Sequence, residues 1–146
     1  MSGLGISRGI AGTALAAAAL TMPMVSAPHA LAATAPTMAV SLTGSALGAA
    51  RLAAVNCTHT ATATVKMPDG SPVSTGFVDF TSRLPGMPGN IVGTVPVTNG
   101  TASIPWTPDI DGQHVISAVY FDGPAELRPA ASYTTVTAMN TGGLCA

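Results

Sequence analysis

GQHVISAVY, Gly112 to Tyr120, alternates in a period of two, so that His114, Ile116, Ala118 and Tyr120 fall on one face of an extended strand. GFVDF, Gly76 to Phe80, lies upstream with Val78 and Phe80 in the same phase. Between them stands VTNGTASI, two short strand-like runs joined by Asn99-Gly100. That dipeptide suits a two-residue hairpin turn, in which both central residues need positive φ. The three pieces in this order predict an all-β antiparallel sandwich.

Working outward, further strands are predicted over Thr37 to Thr43, Asn56 to Met67 and Tyr133 to Met139, for about seven in all. In the second of these, Cys57, His59, Ala61, Ala63 and Val65 point one way and Thr58, Thr60, Thr62, Thr64 and Lys66 the other, a half-buried strand with a threonine-rich outer side. Gly44 to Ala54 is read as a loop, since its helical propensity is confined to too short a stretch to stand alone. Pro68 to Pro72, Leu84 to Asn90 and Pro108 to Gly112 are turns or loops, and Asp122 to Ala131 joins the last two strands. Ile91 to Val97 and Thr101 to Trp106 are expected to form the hairpin around Asn99-Gly100.

The N-terminus reads as a helical secretory signal peptide. One basic residue, Arg8, precedes an apolar, Ala-rich run from Ile10 to Val25 that Pro23 interrupts, and Ala30-Leu31-Ala32 supplies a small-x-small cleavage pattern. Cleavage is expected after Ala32, giving a leader over residues 1–32 and a single domain over 33–146; an uncleaved anchor is the rival reading. The run is too short for a stable span, which needs about 20 apolar residues. A secreted or envelope-associated product is expected.

Four basic residues (Arg51, Lys66, Arg83, Arg128) face six acids in that domain, with no basic cluster. Such a balance argues against nucleic acid or anionic membrane as a partner. The two cysteines, Cys57 and Cys145, are most simply one disulfide in an oxidising compartment; free or intermolecular thiols are the alternative. In a seven-stranded sandwich the second strand opens at the end of the domain where the last one finishes, so the two can meet.

The string Gly76-Phe-Val-Asp-Phe80, then Gly93-Thr-Val95 ahead of Asn99-Gly-Thr-Ala102, then Gly112-x-His114-x-Ile116-x-Ala118-x-Tyr120 and Ser132 to Val136, resembles the bacterial immunoglobulin-like (Ig-like) repeat of secreted and surface proteins. The resemblance spans about Thr37 to Ala138 and implies an Ig-like β-sandwich serving as a spacer, adhesion or ligand-binding module. The family's domains normally come in arrays or beside a catalytic domain, whereas one copy is read here, and the cysteine pair is not part of the family pattern.

Gly112, His114 and Tyr120 are assigned to a structural corner. His114 stands two residues after the turn glycine, where sandwiches of this kind often place a side chain that ties the corner to nearby backbone. A metal-ligand or base role for His114 would need a second His, Asp or Cys at close spacing, and His59 lies on a different strand, so the structural role is preferred. No later acid completes a calcium loop after Asp109 and Asp111, which read as a turn. No catalytic set, metal site or cofactor is expected: no serine lies in a nucleophile elbow, the acids sit mostly in turns, and Asp79 points outward from mid-strand. The candidate binding surface comprises Trp106, Phe77, Val115, Val119 and Phe121, large side chains placed at a strand end or out of phase with the core, with core or loop-supporting packing the more expected use of Trp106. The expected function is an exported, non-enzymatic module meeting a protein or a cell-wall glycan. A small carbohydrate-binding domain with aromatic side chains near Trp106 is the alternative.

Overall fold

Alternation of apolar and polar residues produces strands, and two stacked sheets bury the apolar sides of those strands. The computed structural model describes residues 32–44 and 51–145. The expected leader and its cleavage point lie almost wholly outside these residues. Eight strands are present: β1 (Thr37–Thr43), β2 (Leu52–Ala54), β3 (His59–Lys66), β4 (Phe77–Arg83), β5 (Asn90–Pro96), β6 (Thr101–Trp106), β7 (Gly112–Phe121) and β8 (Ala130–Met139). They form a three-stranded sheet in the order β1-β3-β6 and a five-stranded sheet in the order β2-β8-β7-β4-β5. Among the described residues there is no helix, and so none long and apolar enough to cross a membrane.

The core lies between the sheets. From the smaller sheet come Leu42, Ala61, Ala63, Val65 and Ala102; from the larger, Val78, Phe80, Ile116, Ala118, Tyr120 and Val136, all buried. The threonine side of β3 faces outward, and there the Thr62 hydroxyl is 2.9 Å from that of Ser103 on β6. Small alanines on β3 and the larger Phe80, Ile116 and Tyr120 of the other sheet share one core cluster.

Three features differ from the expected order. The segment read as a loop contains β2, which pairs in parallel with β8 from Leu52↔Thr137 to Ala54↔Met139. Three residues show no period, and the pairing is made by burial of Ala53 and Ala54 and by backbone bonds such as Thr137 N–H to the Arg51 carbonyl at 2.8 Å. The second predicted strand begins at His59 instead of Asn56, because Asn56 takes a positive φ of 62° and its N–H donates to the Pro108 carbonyl.

The third difference concerns the Asn99-Gly100 turn. Both residues do adopt positive φ, 52° and 75°. The flanking strands nevertheless part into different sheets: β5 pairs with β4, and β6 with β3 from His59↔Trp106 to Thr64↔Thr101. Only the Thr98↔Thr101 bridge remains of the expected hairpin. Gly100 itself is held against the smaller sheet, donating to the Val73 carbonyl at 2.7 Å and accepting from Val65 N–H at 2.8 Å. The turn therefore carries the chain from one layer to the other, so that Val95 and Ile104 pack on the core from opposite sides.

Candidate functional site

Strand phase alone places the outer face of the five-stranded sheet. On β4 and β7 the inward residues are Val78, Phe80, His114, Ile116, Ala118 and Tyr120, all buried, so the residues between them point away from the core. The regular β4–β7 register sets Phe77 opposite Phe121, Asp79 opposite Val119, Thr81 opposite Ser117 and Arg83 opposite Val115. On β8, Ala131, Tyr133 and Thr135 continue the rows begun by Val119, Ser117 and Val115. Four of the five candidate surface residues, Phe77, Val115, Val119 and Phe121, thus share one face. The rings of Phe77 and Phe121 stack with centroids 6.0 Å apart and an interplanar angle of 30°.

The face is apolar for a solvent-facing one. Phe77 is 39% exposed, Val119 41%, Tyr133 70% and Ile91 80%. Charged side chains at the outward positions of β4, β5, β7 and β8 are confined to Asp79 and Arg83, and Asp79 accepts a hydrogen bond from the Thr94 hydroxyl on β5. A bulge on β5 opposite Phe80 and Thr81 breaks the outer edge of the sheet, which discourages uncontrolled strand addition there. Tyr133 and Ile91 were not among the candidates read from sequence. The phase of Tyr133 was readable, since Val136 and Ala138 alternate inward on β8, whereas plain alternation from Val95 and Gly93 would turn Ile91 inward and only the bulge on β5 sets it opposite Thr81 on the outer face.

Trp106 is not part of this surface. It is 5% exposed and belongs to the core, the packing role that stood beside a binding one for this side chain. On β6 it shares the phase of Ala102 and Ile104, while Pro105 takes the outward position. Its ring lies between two buried histidines, 6.2 Å from His59 and in an edge-on contact 5.4 Å from His114. Ala54 N–H donates to His59 Nε2 at 3.1 Å, which leaves Nδ1 as the donor to the Gly44 carbonyl, also 3.1 Å away. His114 Nε2 donates to the Ile110 carbonyl at 2.9 Å, tying the start of β7 to the turn before it. Each histidine is thereby engaged in holding backbone.

A cleft of about 350 Å³ opens at the same end of the sandwich, between the β4–β5 loop and the turn before β7, with Trp106 and His114 in its lining beside Arg83, Asn90 and Asp109. Among the described residues no three His, Cys, Asp or Glu side chains gather as metal ligands. At the opposite end of β7, the Tyr120 hydroxyl donates to the Thr75 carbonyl. Burial pushes the phenol above its ordinary pKa, and the negative charge of Glu126 adds to the effect.

Cys57 and Cys145 form a disulfide within the chain, with Cα atoms 5.4 Å apart across 88 residues of sequence. Cys57 is buried just before β3, and the bridge anchors the tail that follows β8. A disulfide of this kind persists in an oxidising compartment.

The model of the bacterial Ig-like domain (group 3) matches residues 47–139. No curated protein is similar to this sequence. Among solved structures, a superoxide reductase (neelaredoxin) from Ignicoccus hospitalis aligns at 8% identity and a TM-score of 0.49, over 73% of this chain and 81% of that one. The CARDB domain of a Pyrococcus furiosus protein aligns at 16% identity and 0.42, over 75% and 93%. The soluble domain of PmoD from Methylocystis sp. aligns at 8% identity and 0.45, over 70% and 90%. Nothing about ligand or activity passes from these structures to this chain.

Proposed function

Because the chain belongs to the bacterial Ig-like domain family, group 3, we propose that it is an exported, non-enzymatic interaction module working at or outside the cell envelope, with the outer face of the five-stranded sheet as its contact surface. The observation that carries this reading is the exposed apolar field of Phe77, Val119, Tyr133 and Ile91 on that face. Several large apolar side chains exposed on one face of a small domain mark a contact site, because leaving them in water costs roughly 25 cal/mol per Å². The disulfide supports an oxidising destination, and the two buried histidines are already engaged with backbone carbonyls.

The test compares the wild type with Val119→Lys for retention on envelope material from the host. Val119→Lys places a charge at the centre of the face without touching the core. Retention of the wild type and its loss in the variant is the expected result. Equal retention of both, or of neither, overturns envelope material as what this face meets.

A second reading, carbohydrate binding, draws on the stacked Phe77–Phe121 pair and on exposed Tyr133, whose rings could stack on sugar faces. It requires binding on a glycan array that Tyr133→Ala abolishes.

A further inference from the structure

The three central rows on the outer face of the five-stranded sheet have a pattern that repeats when they are turned over, whereas the next rows out differ, with Phe77 and Phe121 on one side and Gln113 and Thr137 on the other. Its middle row runs across four strands through Ile91, Thr81, Ser117 and Tyr133. One row to one side stand Asp79, Val119 and Ala131; one row to the other stand Arg83, Val115 and Thr135. Either side of the middle row therefore holds one charge on β4, one valine on β7 and one small residue on β8, and the two charges are opposite in sign.

We propose that this face is covered by a second copy of the chain, packed face to face about a twofold axis running along the Ile91–Thr81–Ser117–Tyr133 row. The proposal rests on the reading of this face as the contact surface and names its occupant. Such an axis reverses the strand direction and keeps each strand over its own counterpart. Asp79 then meets the second copy's Arg83, Val119 meets its Val115, and Ala131 meets its Thr135, each pair occurring twice. A twofold interface requires this kind of self-complementarity. An axis parallel to the strands between β4 and β7 would lay Asp79 over Val119 and leave both charges unpaired, which is costly once water is excluded. A partner of uniform charge would match one of the two and repel the other.

The distances allow the pairing. Asp79 and Arg83 each lie two residues from the row, about 7 Å along the strand. The roughly 30° between aligned sheets shifts residues so near the axis by only a few ångströms, within the reach of an arginine. Tyr133 and Ile91, the most exposed large residues on these strands, sit at the two ends of the row, where each would be covered by its own counterpart.

Sedimentation velocity over a concentration series, on the chain as its host processes it, tests the proposal. The wild type is expected to dimerise. Asp79→Arg and Arg83→Asp each set like charges against one another and should weaken the dimer roughly tenfold or more. Mixed in equal amounts, the two variants should recover it, because every pair in the mixed dimer is complementary. Val119→Lys mixed with Val115→Glu repeats the test with the Asp79–Thr94 bond left in place. A wild type that stays monomeric, single variants that dimerise like the wild type, or folded variants of both pairs that fail to associate on mixing would each overturn it. If the monomeric wild type still binds envelope material and Val119→Lys does not, the second copy is excluded while the contact surface stands.

Discussion

The phenol of Tyr120 donates a hydrogen bond to the Thr75 carbonyl across 3.0 Å, fastening the end of β7 to the turn that launches β4. Its folded pKa is raised above the ordinary 10.0 by burial first and by Glu126 second. Below that pH both folded and unfolded chains keep the proton and the full contribution is present. As pH climbs past it, the unfolded chain ionises first, and stability falls until the folded phenol ionises too. Stability of the wild type to urea should therefore weaken as pH rises past the ordinary tyrosine pKa of 10.0, and Tyr120→Phe should flatten that decline. At neutral pH the variant should lose about 1 kcal/mol with its hydrogen bond. Parallel alkaline profiles for the two proteins would refute this.

Gly123 lies against the same phenol. A Cβ added there would fall 1.7 Å from the Tyr120 hydroxyl and 2.5 Å from Cζ, so one of the two residues must move. Gly123→Ala is expected to cost about 1 to 3 kcal/mol. In combination with Tyr120→Phe the losses should be less than additive, since the closest overlap disappears with the hydroxyl. A double-mutant cycle measured by denaturant unfolding gives the answer, and strict additivity would count against the contact.

The disulfide closes 88 residues. In the chain-entropy model that removes about 4 to 5 kcal/mol of freedom from the unfolded state, a large share of the stability of a small domain. Cys57→Ser with Cys145→Ser should lower Tm by upwards of roughly 15 °C. Reduced wild type should melt with the double variant, and calorimetry with and without reductant checks both. A change of only a degree or two would mean that the tail contributes nothing to holding the sandwich.

Trp106 is the sole tryptophan, and it is buried between His59 and His114. Its emission should be blue-shifted in the native protein and poorly quenched by iodide, with a red shift on unfolding. Trp106→Ala is expected to cost about 3 to 5 kcal/mol through the void it leaves. Ready iodide quenching of the native protein would return Trp106 to the surface.

The division between what could be read in advance and what could not follows from the geometry of strands. Alternation in GQHVISAVY and in the threonine-rich β3 assigns each side chain to a face, because successive Cβ atoms point opposite ways whatever the partner strand. That is why Val78, Phe80, Ile116 and Tyr120 were recognisable as core, and Phe77, Val115, Val119 and Phe121 as outward, from the residues alone. Asn99-Gly100 was likewise legible as a turn, since positive φ is a local property. For Trp106, flanked by Pro105 and Pro108, the residues alone left core packing and a surface role side by side.

Local pattern by itself determined the all-β class, the turns, the phase of the long strands and the availability of two cysteines for one bridge. Only the tertiary structure decided that β5 and β6 part into separate layers, that Leu52–Ala54 joins β8 as a strand, and that Ile91 and Tyr133 complete the apolar face with Asp79 and Arg83 on either side of its middle row. The reason is physical: alternation fixes which side of a ribbon meets the core, whereas the neighbour each ribbon takes depends on hydrogen bonds and burial between segments distant along the chain.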